Sequence, residues 1–131
     1  MKLKTVINSK PALEHLTQKR FKDYKKLREL VKLRKSVEAE FDFYVEQEKK
    51  AVDTYAEKGK DGTPVFLEDG RIKLVDPAAK AAFESELLRL QDTDIEDIRS
   101  VTLKESDFLS AEDLPTPNDM LTLECIINFE D

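Results

Sequence analysis

The sequence predicts an α+β fold in which a small antiparallel sheet is packed by helices and one helix is unusually long. Three observations support this prediction. The range 21–58 contains neither glycine nor proline, and its apolar residues recur mostly at steps of three, four or seven. Asp69-Gly70 is a turn pair between two apolar runs. Two short stretches, 2–7 and 100–103, alternate apolar and polar residues as half-buried strands do.

The stretch VINSKPALEHL is predicted to be the end of a strand, a cap and the start of a helix. The strand occupies residues 2–7 and the short helix occupies residues 11–17. Ser9 is a typical N-cap residue, because its hydroxyl can accept a hydrogen bond from a free backbone N–H of the first turn. Pro11 suits that first turn, where its missing N–H has no partner to lose.

The predicted long helix runs from about Phe21 to Lys58, and Gly59 follows it as a typical C-terminal cap residue. A helix over that whole range would be about 57 Å long, which exceeds the diameter of a domain of this size. Either the helix bends or breaks near Ser36, or one end projects and meets a partner. Its length therefore favours a homo-oligomer formed through this helix.

A β-hairpin is predicted over residues 63–76, with Asp69-Gly70 as a two-residue turn. In that register Leu67 faces Ile72, so one face of the hairpin is apolar and the other is mixed. No internal repeat is visible in this region or elsewhere in the chain.

A helix and a strand are predicted after the hairpin. Asp76-Pro77 is a cap followed by a proline, and the helix that it begins runs to about Gln91. Val101 and Leu103 then alternate with polar residues, which predicts a strand.

Two helical segments are predicted near the end of the sequence. Residues 110–114 are predicted to form one helical turn. Thr116-Pro117 repeats the combination of a cap and a proline, and predicts a closing helix over residues 118–128.

The composition predicts one domain over residues 1–131, with 40% apolar and 38% charged residues. The single cysteine cannot form an internal disulfide, which fits a reducing compartment. No run of about 18 apolar residues is present, so no membrane span is predicted, and the first residues lack the apolar core of a secretory signal. The three glycines all lie at predicted turns, so no phosphate-binding loop and no cofactor is predicted.

Charge is distributed unevenly along the chain, although the net charge is only −6. Residues 1–35 contain twelve Lys or Arg and three acids, whereas residues 84–131 contain fourteen acids and three bases. Such asymmetry can mark a surface that binds a partner, or it can let the two ends of the chain attract each other. The sequence favours the second interpretation. A third, weaker one is that the acidic half imitates nucleic acid.

A dense basic run is the candidate partner-binding site. Its members are Lys19, Arg20, Lys22, Lys25, Lys26, Arg28, Lys32, Arg34 and Lys35. On a helix, Lys22, Lys25, Lys26, Glu29 and Lys32 would share one side. That side could bind phosphates or an acidic protein surface, but a solvated face, or one paired with the acidic half of the chain, is favoured. Phe21 and Tyr24 match the apolar core stripe better than a stacking platform.

No residue pattern predicts catalysis. His15 has no nucleophile or second histidine placed by a motif to act with it, so a helix-surface position is favoured. Cys125 lies in an apolar segment near many acids, which favours a buried, unreactive thiol. The acids of DTDIED (residues 92–97) lack the spacing of a calcium-binding loop, so a solvated loop is favoured there over a metal site.

Four segments resemble a family of small proteins encoded by bacteriophages and prophages, described only as a domain of unknown function. The segments are MKLKTVINSKPALEHL (1–16), EFDFYVEQEKKAVDTYAEKGKDG (40–62), FESELLRLQDTDIE (83–96) and TPNDMLTLECII (116–127). Together they cover most of the chain, in the order and spacing that the family has. The sequence departs from the family at TQKRFKDYKKLREL, where relatives carry a proline near residue 19.

The resemblance implies a phage or prophage origin and carries over no catalytic residue. It also implies an accessory role near late, tail or lysis functions, in the host bacterial cytoplasm or on the virion.

The leading functional hypothesis is a non-enzymatic accessory protein that binds another phage or host protein. It would serve as a virion or assembly component, or as an inhibitor of a host system. The alternative is a nucleic-acid-binding accessory protein that uses the basic helix 19–35. An enzyme is the weakest of the three hypotheses.

Overall fold

The computed structural model describes residues 1–130 and is mostly helical. Its α-helices are α1 (Leu3–Thr17), α2 (Tyr24–Tyr55), α3 (Pro77–Gln91) and α4 (Pro117–Leu123), and its strands are β1 (Val101–Lys104) and β2 (Ile127–Glu130). Two 3₁₀ turns, Glu105–Asp107 and Ala111–Asp113, lie between β1 and α4. The predicted α+β class with one long helix is confirmed, and the helical turn expected within residues 110–114 is the second 3₁₀ turn.

The chain divides into two compact units. The first contains residues 1–41 and 94–130, and the second contains residues 42–93. The prediction of one domain over 1–131 stays a prediction, because compact units can unfold either together or separately.

The sheet is parallel, so the predicted antiparallel sheet is wrong. β1 pairs with β2 in a register that places Val101 beside Ile127 and Leu103 beside Phe129. Parallel strands need a crossover connection of a dozen or more residues, and the 3₁₀ turns with α4 provide it. The predicted strand at 101–103 is therefore confirmed, but the first two residues of its partner β2 were predicted to end the closing helix.

The predicted strand over residues 2–7 is wrong, because these residues begin α1. The buried residues of α1 are Leu3, Val6, Ser9, Ala12, Leu13 and Leu16. Their steps of three and four residues are those of a helix face, and they continue without a break past Pro11. The alternation of apolar and polar residues within 2–7 is a short part of this longer helical pattern.

Ser9 and Pro11 lie inside α1 rather than at its start. Ser9 is fully buried, and its hydroxyl donates a hydrogen bond to the backbone C=O of Val6 at 2.6 Å. Pro11 is exposed and has no N–H to donate to the C=O of Ile7, four residues before it. The helix thus tolerates one missing backbone hydrogen bond on its solvent side.

The long helix α2 is continuous through Ser36 but is shorter than predicted. It begins at Tyr24 because the Asp23 carboxylate accepts a hydrogen bond from the backbone N–H of Lys25 at 2.8 Å, as an N-cap does. Phe21 lies outside the helix. Its ring packs against that of Phe108, with 4.9 Å between the ring centroids.

The core of the first unit joins its two sequence segments. α1 and the first half of α2 pack with β1, α4 and β2, and the buried cluster includes Leu13, Leu30, Leu103, Leu123 and Ile127. Leu33 and Val37 of α2 belong to the same cluster, so one side of this helix faces the core.

The second unit buries little apolar surface. It contains the end of α2 and the whole of α3, and its buried apolar residues are Ala51 and Ala56. The Tyr55 and Phe83 rings meet edge to face with 6.3 Å between their centroids, and the Gln91 side chain donates to the Tyr44 hydroxyl at 3.2 Å. The predicted start and end of α3 are confirmed, and the Asp76 carboxylate caps it by accepting from the N–H of Ala79.

Two similar tight turns connect α2 to α3. In the second turn, Leu67 donates its N–H to the C=O of Arg71 at 2.7 Å and accepts from the N–H of Gly70 at 2.9 Å. The first turn makes the corresponding bonds around Gly59 and Gly62, eight residues earlier. Both turns end in a glycine with positive φ, 79° at Gly62 and 86° at Gly70, where other residues would be strained. The structure therefore contains a short repeat that the sequence did not reveal.

The hairpin predicted over residues 63–76 forms isolated bridges rather than continuous strands, and its predicted register is wrong by one residue. Leu67 lies opposite Arg71, and Phe66 pairs with Ile72, so three residues rather than two form the turn. A positive φ at the third turn residue is typical of such three-residue loops, and only the glycine of the Asp-Gly pair adopts it here.

Three backbone hydrogen bonds form a closed ring where the two turns and the helix ends meet. Glu57 donates to the C=O of Lys73, Lys73 to that of Val65, and Val65 to that of Glu57, at 2.8, 2.8 and 2.9 Å. Each of the three residues thus pairs both of its backbone groups within the ring. The connection is held by main-chain atoms and needs little buried side-chain surface.

The predicted closing helix is confirmed only at its start. Thr116 caps α4 by accepting from the N–H of Asp119 at 3.2 Å, and Pro117 is the first helical residue. The helix ends at Leu123, and Ile127 begins β2. The β-branched Ile126 and Ile127 favour this change to extended backbone.

Candidate partner-binding surface

Four basic residues of α2 form a continuous line on its solvent side. Lys25, Arg28, Lys32 and Lys35 follow one another at steps of three, four and three, and all four are exposed. We call this set the basic stripe. Because an α-helix rises 1.5 Å per residue, the stripe is about 15 Å long.

The opposite side of the same helix fixes the direction of the stripe. Leu30, Leu33 and Val37 are buried in the core of the first unit. Since residues three and four apart share a helix face, burial of this apolar set turns the basic stripe towards water.

The basic stripe is not neutralised within the part of the chain that the structure describes. None of its four side chains takes part in an ion pair with a carboxylate of residues 1–130. Like charges at steps of three and four destabilise a helix by about 0.2–0.5 kcal/mol per pair. Three such neighbouring pairs cost about 1 kcal/mol in the free protein, and an anionic partner would remove that cost.

Two of the nine predicted residues have internal partners instead. Lys26 donates to the backbone C=O of Thr102 at 3.0 Å and pairs with Glu29 at 3.5 Å. Arg34 pairs with Glu38 and also donates to the Thr17 hydroxyl, each at 2.9 Å. These two side chains connect α2 to other parts of the first unit. The helix side that was predicted to contain the basic residues from Lys22 to Lys32 is therefore only partly available to a partner.

The remaining three predicted residues precede α2. The backbone N–H of Arg20 donates to the Asp113 carboxylate at 3.1 Å, and that of Lys22 donates to the C=O of Asp107 at 2.9 Å. The side chains of Arg20 and Lys22 are exposed, whereas Lys19 is half-buried. This segment extends the positive surface next to the basic stripe.

Tyr24 is a surface residue, contrary to the sequence prediction, whereas Phe21 is buried as predicted. The exposed fraction of Tyr24 is 83%. It lies four residues before Arg28, so its ring and the guanidinium share one side of the helix. The four-residue spacing of Tyr24 and Arg28 is visible in the sequence. Whether this shared side is exposed or buried depends on which side of α2 faces the core.

The expected pairing of the basic and acidic halves does not extend to the basic stripe. Lys2 pairs with Asp94 at 3.0 Å, which joins the two segments of the first unit. Other basic residues among the first 35 pair locally, as Lys10 does with Glu14 at 2.6 Å.

The side chains of His15 and Cys125 both contact neighbouring groups of the first unit. The His15 Nδ1 lies 3.5 Å from the Asp119 carboxylate, so the imidazole connects α1 with the first turn of α4. Cys125 is half-buried, its thiol lies 3.6 Å from the C=O of Thr122, and burial raises the pKa of this thiol. A raised pKa lowers the thiolate fraction and makes the sulfur a poor nucleophile.

Among residues 1–130, no group of three or more His, Cys, Asp or Glu side chains is arranged to hold a metal ion. No helix in this range combines the length and the apolar composition that crossing a membrane requires.

Comparison with known proteins gave no match to a family model, to a curated protein or to a solved structure.

Proposed function

We propose that the protein is a non-enzymatic accessory protein, encoded by a bacteriophage or prophage, that binds an acidic surface of another protein through its basic stripe. The observation that supports this proposal is the line of four exposed cations that form no ion pair with a carboxylate of residues 1–130. The sequence resemblance supports the phage or prophage origin. The partner is a phage or host protein, met in the host cytoplasm or on the virion.

Electrostatics and rigidity both favour such a partner. The stripe lies on a regular helix, so its backbone is already ordered and a partner has to immobilise only the side chains when it binds. The net charge of −6 repels polyanions at long range, whereas an acidic patch of limited size meets mainly the local positive field.

The decisive experiment is a quantitative capture from infected cells with a matched charge control. Tagged wild-type protein is compared with Lys25→Glu/Lys32→Glu, and purified virions are examined for the protein in parallel. The control is Lys49→Glu/Lys60→Glu, which reverses two exposed lysines outside the basic stripe. Once mass spectrometry has identified the captured protein, its affinity for each variant is measured with purified components over a series of salt concentrations.

Charge reversal replaces an attraction by a repulsion at each site. With about 0.2–1 kcal/mol per exposed ion pair, two reversals should weaken binding about tenfold or more at low salt. The control should bind as the wild type does, and the difference should shrink as salt rises. Equal affinity of the stripe variant and the wild type would refute the proposal.

A second candidate, supported by the exposure of Tyr24, is binding of single-stranded nucleic acid. An exposed aromatic ring beside a line of cations can stack on a base while the cations follow the phosphates. Fluorescence anisotropy with a labelled oligonucleotide tests this function. Four phosphate contacts predict a slope of log affinity against log salt of about −3, and Tyr24→Ala should weaken binding further. Absence of binding at any salt concentration would exclude it.

Self-association through α2 stays a prediction that light scattering can test. Phe43 and Val45 of α2 are exposed and offer apolar contact. A mass above 15.1 kDa would support a homo-oligomer, and a mass of 15.1 kDa would remove that prediction.

A further inference from the structure

The second unit contains a cleft between the second turn and the start of α3. Its volume is about 780 Å³. Ligand sites for small molecules usually enclose about 300–1,000 Å³ and are lined mainly by apolar side chains with a few polar groups. The cleft has the right size for one such molecule.

The floor of the cleft is apolar. It is formed by Leu67, Ile72 and Leu74 from the hairpin and by Phe83 from α3. The exposed fraction of Leu67 is 43%, although moving a leucine side chain out of water lowers the free energy. An apolar ligand would cover this surface.

Two cations beside the floor have hydrogen-bond donors to spare. Arg71 uses its Nε to bind the Asp69 carboxylate at 2.6 Å, which leaves the terminal amino groups of its guanidinium available. Lys80 has no carboxylate of residues 1–130 within ion-pairing distance. The third cation of the lining, Lys73, is already paired with Glu57 at 3.0 Å.

The acids of the lining do not neutralise these cations. Asp76 uses its carboxylate to cap α3 through the N–H of Ala79 at 2.7 Å. Glu84 lies one turn after Lys80 on the same helix, but the two side chains do not form an ion pair. The lining contains three cations and two carboxylates, but Asp69 and Glu57 beside it pair with Arg71 and Lys73. The groups that an anion would meet are therefore the Lys80 ammonium and the terminal amino groups of Arg71.

We propose that this cleft binds a small amphipathic anion, whose apolar part covers the floor and whose charged group faces Arg71 and Lys80. The volume favours a small molecule, and the spare cationic donors favour an anion over a neutral ligand. The proposal concerns the second unit alone and does not depend on the basic stripe.

The test uses 8-anilinonaphthalene-1-sulfonate, which combines two aromatic groups with a sulfonate, as a fluorescent probe of the full chain. Decanoate, a single-chain carboxylate, is the competitor. Each variant has a matched control: Leu67→Ser is compared with Leu88→Ser, which removes an exposed leucine outside the cleft, and Lys80→Glu is compared with Lys49→Glu. Near-UV circular dichroism and cooperative unfolding show that each variant is folded before titration, because the dye also binds partly folded chains.

The expected result is saturable binding of one dye molecule per chain, with displacement by decanoate. Leu67→Ser should weaken dye binding about fivefold, because part of the apolar contact is lost. Lys80→Glu should weaken it about tenfold, because an attraction becomes a repulsion. Both controls should bind as the wild type does.

Three outcomes would overturn the proposal. Absence of saturable binding would exclude the site, and equal weakening by Leu88→Ser would show that the dye covers general apolar surface. Displacement by an apolar peptide but not by decanoate would assign the cleft to a protein segment instead.

Discussion

Replacing Pro11 by alanine should stabilise the protein. Pro11 lies inside α1 and is exposed, so its ring contributes little packing. Alanine would supply the missing N–H to the C=O of Ile7 and would remove the steric conflict of the ring with the preceding turn.

The expected gain follows from two opposing contributions. Proline in a helix interior costs about 3 kcal/mol relative to alanine. It also restricts the unfolded chain, which contributes about 0.4–1 kcal/mol of stability that Pro11→Ala would lose. The net gain in the free energy of unfolding is therefore about 2 kcal/mol, or about 8 °C in the melting temperature of a chain of this length.

The assay is urea unfolding followed by far-UV circular dichroism, with Pro117→Ala as the matched control. Pro117 is the first residue of α4, where no backbone hydrogen bond is missing, so its replacement should give no gain. A companion variant, Ser9→Asp, distinguishes a cap from a buried position. Aspartate is as good an N-cap as serine, but burying its carboxylate inside α1 should cost about 3 kcal/mol or more.

A loss or no change on Pro11→Ala, together with a neutral Ser9→Asp, would refute this reasoning. That pair of results would mean that Ser9 caps a helix beginning at Pro11 and that the residues before it are not helical.

Three other predictions concern turns, the thiol and one ion pair. Gly70→Ala and Gly62→Ala should each lower the free energy of unfolding by about 1–2 kcal/mol, because both glycines have positive φ. A Cβ at either position would meet no other atom within 4 Å, so a much larger loss in urea unfolding would contradict this reason. Cys125 should react with a disulfide reagent at pH 8 more slowly in the folded protein than in urea, because burial raises its pKa; equal rates would contradict this. Lys2→Met should raise the pKa of Asp94 in an NMR titration, because the hydrogen bond and charge of Lys2 lower it. The stability from this pair is present above the ordinary pKa of the carboxyl and is lost as the pH falls through the lowered value; an unchanged Asp94 pKa would exclude the pair in solution.

The sequence predicted helices where the apolar pattern was long or where a cap residue marked the start of the helix. The long helical pattern over residues 21–58 predicted α2, although α2 is shorter, and the cap at Asp76 predicted α3. Six residues at the start of the chain were too few to distinguish alternation from a helical period, and the prediction that Pro11 begins the helix was wrong. The parallel pairing of β1 with β2 joins residues far apart in the sequence, so no local signal could predict it.

The basic surface was predictable in composition but not in orientation. The sequence shows which residues are charged, but the direction in which each points depends on the side of α2 that the core covers. Lys26 turned out to bind Thr102, and Tyr24 turned out to be exposed, for this reason. The cleft of the second unit depends on the three-residue turn at 68–70, and the register predicted for this turn was wrong by one residue.

The discontinuity of the first unit sets an order of folding during synthesis. The second unit is contiguous, so its ring of backbone hydrogen bonds can form while β1 and β2 are still within the ribosome. The cluster that buries Leu13 is complete only when Leu123 and Ile127 have emerged, more than a hundred residues later. At about 5–20 residues per second, the core around α1 stays incomplete for about 5–20 s. Because incomplete cores expose apolar surface, the newly made protein should be more prone to aggregate than the finished one.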